Sequence, residues 1–251
     1  SHQVVNDTLW YYRYFSEWKL YGMHYYFYAQ NAQLMEEFNT ELSGDELVNE
    51  FRTTYAYDDS EYLVQWLNFA WDADYWKERG KRNLYNNAQG QCIEYIDYYK
   101  DNGIWDSSKR VTNTYEGAIK TSEIEWYVED AAWEKFWKYE WVFNQSGQMT
   151  DYMEYAREGE EWLYDWWEAL EYDAAGHCIM ERSYYRDNGE WIETYRFAHY
   201  YNGKDKPDST IASMYQGENW VNTMKYTYSY EQQGLLSEEL LYQWVDNSWQ
   251  K

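Results

Sequence analysis

The stretch YDAAGHCIMERSYYRDNGEW, residues 172–191, supports two incompatible interpretations. The choice between them decides the predicted fold. In the first, His177 and Cys178 begin a metal or nucleophile site among nearby acidic residues, since imidazole, thiolate and carboxylate groups bind transition metals. In the second, YDAAG and RDNGEW are two turns of a hairpin, because Asp, Asn and Gly favour tight turns. A repeat of both turns along the chain would favour the hairpin.

Tryptophan marks such a repeat. The members of its ladder lie 29 residues or a multiple of 29 apart, except for one 28-residue step between the third and fourth: Trp18, Trp76, Trp105, Trp133, Trp162, Trp191, Trp220 and Trp249. Leu47 fills the missing place. A second ladder follows about 14 residues behind, at Gly90, Gly147, Gly176, Asp205 and Gly234. The quoted stretch is therefore one of several similar units.

Each unit contains two predicted strands. The tenth residue after the Trp or Leu anchor is aromatic in seven of eight units, with Asn86 as the exception. From Trp220, apolar residues such as Met224 and Tyr226 fall on even positions, which predicts a strand with all of them on one face. The second half of the unit also alternates. One of its columns is mostly apolar: Leu34, Leu63, Cys92, Lys120, Met149, Cys178, Pro207 and Leu236.

Connections this short can join only antiparallel neighbours. We therefore predict an all-β fold, an antiparallel β-meander of about eight 29-residue hairpin repeats with about 17 strands. One domain is expected over residues 1–251, with an N-terminal partial unit at 1–18 and repeats from 18 to 249. Because neighbouring strands twist by about 20°, the strands are expected to form a long coiled, largely single-layer sheet or a superhelix.

Composition narrows the classes of partner. The formal net charge is −24, so basic patches that neutralise phosphates are lacking and a nucleic-acid partner is not expected. No apolar run approaches the roughly 18 residues that span a bilayer, so membrane insertion is not expected either. The sequence has no P-loop, G-x-G-x-x-G or G-x-S-x-G motif. We therefore expect no catalytic residues, no enzyme activity and no cofactor.

Two segments carry a family resemblance. Tyr228–Gly234, YSYEQQG, and Glu171–Gly176, EYDAAG, resemble the Y-x-Y-D-x-x-G core of tyrosine-rich YD (RHS-like) hairpin repeats. The longer form, DNGEW at 187–191, is similar to repeats in secreted and surface proteins of Bacteroidetes bacteria. The resemblance implies a β-hairpin array that is exported from the cell, and it implies no catalysis.

The repeat also changes the interpretation of the two cysteines. Cys178 and Cys92 share a column with Leu and Met, which predicts small buried free thiols rather than a reactive site. The four histidines are scattered and show no H-x3-H spacing, so no metal site is expected. His177 has no role in the repeat.

One group of aromatic residues exceeds what the repeat requires, and it is the candidate ligand-binding set: Trp137, Trp141, Trp162, Trp166 and Trp167. Sugar rings present C–H faces to aromatic rings and hydroxyls to carboxylates. We therefore expect a non-catalytic protein, secreted or on the outer cell surface with any signal peptide already removed, whose acidic, aromatic surface binds a protein or a glycan. The alternatives are a glycan-processing enzyme that uses carboxylates and a passive structural spacer.

Overall fold

The computed structural model describes the backbone of residues 3–13, 17–129, 132–203, 205–231 and 234–251, and the side chains from residue 22 onward within those ranges. The described residues form 18 β-strands and no helix. They divide into two compact units, the first comprising Ser1–Thr114 and Glu125–Lys135 and the second comprising Tyr115–Ile124 and Phe136–Lys251. The predicted partial unit at 1–18 lies partly outside the described residues, and the prediction of a single domain stays a prediction.

Both units are built from consecutive antiparallel strands. In unit 1 each of the first eight strands pairs with the next: β1 (Gln3–Arg13), β2 (Glu17–Tyr28), β3 (Leu34–Ser43), β4 (Glu46–Tyr57), β5 (Leu63–Asp72), β6 (Tyr75–Asn86), β7 (Cys92–Asp101) and β8 (Ile104–Glu116). The last two residues of β8 belong to unit 2, and β9 (Ile119–Glu129) and β10 (Ala132–Phe143) likewise have residues in both units.

In unit 2 the same pairing continues from β10 through the remaining strands: β11 (Met149–Glu158), β12 (Glu161–Tyr172), β13 (Cys178–Asp187), β14 (Glu190–Tyr201), β15 (Pro207–Gln216), β16 (Asn219–Tyr230), β17 (Leu236–Val245) and β18 (Ser248–Gln250). The predicted all-β antiparallel meander of hairpins is confirmed. The coiled or superhelical course of the strands stays a prediction.

Two kinds of turn alternate. The anchor tryptophan follows a two-residue turn such as Asn188-Gly189, where both residues have positive φ, 50° and 88°. Positive φ at both central residues matches the right-handed twist of the flanking strands, and Asn-Gly adopts it readily. Trp76 packs against Trp71 across the two-residue turn of residues 73 and 74, with ring centroids 5.0 Å apart. This anchor therefore closes one end of its hairpin.

The other turn has five residues. In Asn144–Gln148 the first residue's N–H donates to the Gln148 carbonyl at 2.9 Å, and its side-chain oxygen accepts from the N–H groups of Ser146 and Gln148. The fourth position has positive φ and is the second sequence ladder, as at Gly147 (78°). The turn between β8 and β9 has only residues 117 and 118, three fewer than the other turns of this kind, whereas β8 and β9 are each one residue longer than their counterparts, so this step is one residue shorter.

The aromatic residue ten places after the anchor ties one repeat to the previous one. The hydroxyl groups of Tyr57, Tyr172 and Tyr201 each donate to a carbonyl 23 residues earlier, at 2.7–3.0 Å. Asn86 makes the same bond through its amide, with Nδ2 2.9 Å from the Leu63 carbonyl oxygen. The sequence exception therefore keeps the bond, because a hydrogen-bond donor is what this position needs.

A bulge in the middle of most anchor strands changes the predicted alternation of faces. In β16 the pair Ala212 and Met224 is followed by the pair Ser213 and Asn222, so Thr223 is an extra residue. An extra residue shifts the faces of a strand. Met224 therefore lies on the opposite face from Trp220, and the prediction that they share one face was wrong.

Burial is shallow on both faces. Among the described residues the buried apolar side chains are Val111, Tyr155 and Ala212. Cross-strand pairs between half-buried aromatic and polar side chains consequently contribute to stability, at about 0.2–1 kcal/mol each.

Candidate functional site

The five predicted tryptophans are divided between two faces of unit 2. Trp166 and Trp167 are consecutive residues of β12, so they point to opposite faces. Strand register places Trp137 and Trp141 on the face of Trp166 and Trp162 on the face of Trp167. These surfaces are named the Trp166 face and the Trp167 face below. The structure therefore does not bring the five residues together.

Trp167 is held by three contacts. Its ring stacks on Tyr184, with centroids 4.3 Å apart and planes 18° apart. Trp191 meets it edge-on at 5.6 Å. The indole N–H donates to Asp151 Oδ1 at 3.0 Å. Trp167 is therefore a packed side chain rather than an exposed one.

The other repeats show what Trp167 replaces. Five places after most anchors the residue is a cation, in a set we call the cation column: Arg52, Lys81, Arg110, Lys138, Arg196 and Lys225. Arg52 and Arg110 donate to acids 16 residues earlier, Glu36 at 2.8 Å and Glu94 at 2.6 Å. Asp151 likewise lies 16 residues before Trp167. Trp167 therefore makes the bond that a cation makes elsewhere.

Ring contacts support the same equivalence. The charged groups of Lys81 and Lys138 lie 4.4 and 4.7 Å from the centroids of Tyr98 and Tyr155, each directly opposite on the next strand. Trp167 stacks on its own opposite residue in the same way. Its place in the column indicates a structural role.

Trp162 has a comparable role as an anchor. It lies opposite Arg157 across the turn formed by residues 159 and 160. Trp249 occupies the same place and packs edge-on against Trp244 at 4.8 Å. Trp162 is thus part of the hairpin closure.

Trp141 lies on the other face and is also covered. Its ring lies 5.9 Å from that of Tyr152 and 6.4 Å from that of Tyr139, with planes within 28° of parallel. The Lys120 ammonium lies 4.7 Å from the Trp141 centroid. Burial, followed by the hydrogen bond to Glu154, raises the pKa of Tyr152 far above its ordinary value.

An aromatic row crosses the remainder of the Trp166 face. Trp166 lies directly opposite Tyr185, and Tyr195 lies opposite Ser183 on the following strand. Tyr185 and Tyr195 are each 39% exposed. The half-buried Trp166 is oriented by its indole N–H, 3.1 Å from Glu168 Oε1. We call Trp166, Tyr185 and Tyr195 the aromatic row.

Carboxylates flank the aromatic row. Glu154 lies directly opposite Trp166 on β11, and Glu168 is two residues from Trp166 on the same face. The sequence-based prediction considered only surplus tryptophans and therefore did not include Tyr185 and Tyr195. One signal was available for the latter, because Tyr195 occupies the same place after its anchor as Trp166 does after Trp162.

His177, which had no predicted role, links two five-residue turns. Its backbone N–H and its Nδ1 lie 2.9 and 3.0 Å from the Asp173 carboxylate, and its ring stacks on Tyr201 at 4.5 Å. Its Nε2 is 3.6 Å from Asp205 of the next turn. Gln148 makes the corresponding link, with Nε2 2.7 Å from the Gly176 carbonyl oxygen. His177 therefore belongs to the repeat.

Neither cysteine forms a disulfide, and both are half-buried. Among the described residues, the structure groups Cys178 with Glu181 and His199, whose possible ligand atoms all lie within 4.8 Å of one another. Sequence spacing missed this group because its members come from two strands. Burial, followed by the charge of Glu181, raises the pKa of the Cys178 thiol.

Comparisons with known proteins identify no family. No family model matches the sequence, and no curated protein matches it. The described residues contain no helix that is long and apolar enough to cross a membrane.

Several solved structures are similar at low TM-score. A porin-like protein from Bacteroides uniformis has a TM-score of 0.40 at 9% identity, covering 81% of this chain and 87% of that one. A protein of unknown function from Bacteroides fragilis has a TM-score of 0.25 at 9% identity, covering 65% of this chain and 89% of that one. The TcdB2-TccC3 structure has a TM-score of 0.30 at 10% identity, covering 94% of this chain and 16% of that one. At these TM-scores the similarities carry no functional information.

Proposed function

We propose that this protein is a non-catalytic glycan-binding repeat protein, and that the aromatic row is its binding surface. The observation that carries the proposal is the alignment of Trp166 with Tyr185 and Tyr195, which are each 39% exposed and lie beside carboxylates, whereas Trp167 is committed to packing. Exposed aromatic groups on a polar surface are typical of interaction sites.

The size and chemistry of the aromatic row favour a glycan over a protein. Three rings on neighbouring strands about 4.8 Å apart span roughly 10 Å, a length suited to a few sugar residues. A stable protein interface buries about 800 Å² per partner, which is more than three rings provide. Glu154 and Glu168 would accept hydrogen bonds from sugar hydroxyls while C–H faces stack on the rings.

The proposal includes a location outside the cytoplasm. The resemblance to exported YD-like hairpin repeats supports it, and the formal net charge of −24 suits an exposed repeat surface that must not self-associate. A protein partner, a glycan-processing enzyme and a passive spacer are the alternatives.

Glycan-array screening of the purified chain, followed by calorimetric titration of the best glycan, tests the proposal. Tyr185→Ala and Tyr195→Ala should each weaken binding about tenfold, or ~1.4 kcal/mol. Tyr200→Ala is the matched control, because Tyr200 is 51% exposed but lies on the Trp167 face. Its affinity should equal that of the parent.

Other outcomes identify the alternatives. New reducing ends after incubation would indicate an enzyme, and absence of any retained glycan would indicate a spacer or a protein-binding surface. Equal affinity in Tyr185→Ala, Tyr200→Ala and the parent would refute the aromatic row as the binding surface.

A further inference from the structure

We propose that Cys178, Glu181 and His199 form a site for a single divalent transition metal ion, of which Zn²⁺ fits best. Thiolate, imidazole and carboxylate are the three ligand types that Zn²⁺ uses in proteins. The proposal is independent of glycan binding.

Backbone geometry brings the three groups together. Residues three apart on a regular strand point to opposite faces. Between β12 and β13 the pair Glu171 and Met180 is followed by the pair Tyr172 and Cys178, so Ile179 is an extra residue in a bulge. The bulge places Cys178 and Glu181 on one face. Bulges of this kind often re-aim side chains at functional sites.

His199 completes the group from the adjacent strand. Its Nε2 is 3.1 Å from Glu181 Oε1, and all three ligand atoms lie within 4.8 Å of one another. Ligands of a tetrahedral Zn²⁺ stand about 3.5 Å apart, given metal–ligand distances of roughly 2.0–2.3 Å. Small side-chain adjustments would therefore close the site, with water as a fourth ligand.

Thr210 orients His199 for binding a metal ion. Its hydroxyl oxygen lies 3.0 Å from His199 Nδ1, and its side chain is buried, with the residue 6% exposed. In the tautomer in which Nδ1–H donates to Thr210, the Nε2 lone pair faces Glu181 and Cys178. Such an outer hydrogen bond orients metal-binding histidines in many proteins.

Cys92 provides an internal control. It occupies the same repeat position as Cys178 and also begins a strand after a five-residue turn. The residues that correspond to Glu181 and His199 are Tyr95 and Asn113, and the Asn113 amide donates to the Cys92 carbonyl at 2.9 Å. The Cys92 position therefore has a thiol without the other two ligands.

Titration of the reduced protein with Co²⁺ tests the site, because a cobalt–thiolate bond gives a near-ultraviolet charge-transfer band. The parent should develop the band and lose it when a stoichiometric amount of Zn²⁺ is added. Cys92→Ser should retain the band, and Cys178→Ser should lose it. Thr210→Val should weaken Co²⁺ binding about 10- to 100-fold.

Circular dichroism of both serine variants checks that each is folded, and His199→Gln tests the site without altering either thiol. Absence of the band in the folded parent would overturn the proposal. So would a band that persists in Cys178→Ser or His199→Gln, or one that disappears only in Cys92→Ser.

Discussion

Trp166 and Trp167 are neighbours in sequence but have different surroundings. Trp167 stacks on Tyr184, contacts Trp191 and bonds to Asp151. Trp166 has its indole N–H directed to Glu168 and lies opposite an exposed tyrosine. The difference shows that the two surplus tryptophans of one strand have different roles. One tryptophan replaces a structural cation, and the other lies beside an exposed aromatic surface.

Removing each side chain separates these explanations. Trp167→Ala should lower the free energy of unfolding by about 3 kcal/mol, because a large packed ring and its hydrogen bond are lost. Trp166→Ala should lower the free energy of unfolding by only about 1 kcal/mol. Urea unfolding followed by far-ultraviolet circular dichroism measures both, and equal losses would contradict the distinction.

Restoring the repeat's usual residue sharpens the comparison. Trp167→Arg should be about 1.5 kcal/mol more stable than Trp167→Ala, because a guanidinium can bond to Asp151 and stack on Tyr184 as Arg52 does with Glu36 and Phe69. The same urea experiment applies. If Arg and Ala at this position gave the same stability, Trp167 would not belong to the cation column.

Alkaline pH tests the packing of the Trp167 face. Tyr155 is 4% exposed, and burial, followed by the hydrogen bond to Glu140, raises its pKa far above the ordinary value near 10. A raised pKa in the folded state means that its contribution is fully present below about pH 10 and is lost as pH rises further.

Stability should therefore fall above pH 10 by about 1 kcal/mol per pH unit from this group. Tyr155→Phe should reduce that slope, as measured by urea midpoints between pH 9 and pH 11. An unchanged slope in the variant would show that the phenol is not shielded.

Turn substitutions provide the smallest effects and should involve neither face. Gly147 has φ 78° with no atom near its missing Cβ, so Gly147→Ala should cost about 1 kcal/mol through backbone strain alone. Ala32 has φ 63° in the equivalent position, so Ala32→Gly should raise the free energy of unfolding by roughly 0.5 kcal/mol. Thermal unfolding measures both. A gain from Gly147→Ala would contradict the turn assignment.

The strands and turns were predictable because the repeat samples the same local chemistry many times. Asn188-Gly189 adopts the positive φ values that an Asn-Gly hairpin turn requires. The bulge at Thr223 was not predictable from alternation, since an inserted residue changes which face follows without changing the composition of the strand.

The candidate sites were less predictable because they depend on register between strands. Trp167 finds Asp151 only through the pairing of β11 with β12, and His199 approaches Glu181 only through that of β13 with β14. Sixteen- and eighteen-residue separations of this kind do not stand out in a single sequence. The cation column was visible in the sequence, but its significance depends on the rings that it contacts.

The most direct test is calorimetric titration of the selected glycan into Trp166→Ala and the parent, with the unfolding midpoint measured on the same samples. We predict about a tenfold loss of affinity, together with only the small shift in midpoint that a loss of about 1 kcal/mol in unfolding free energy produces. Parental affinity in a folded Trp166→Ala variant would contradict it.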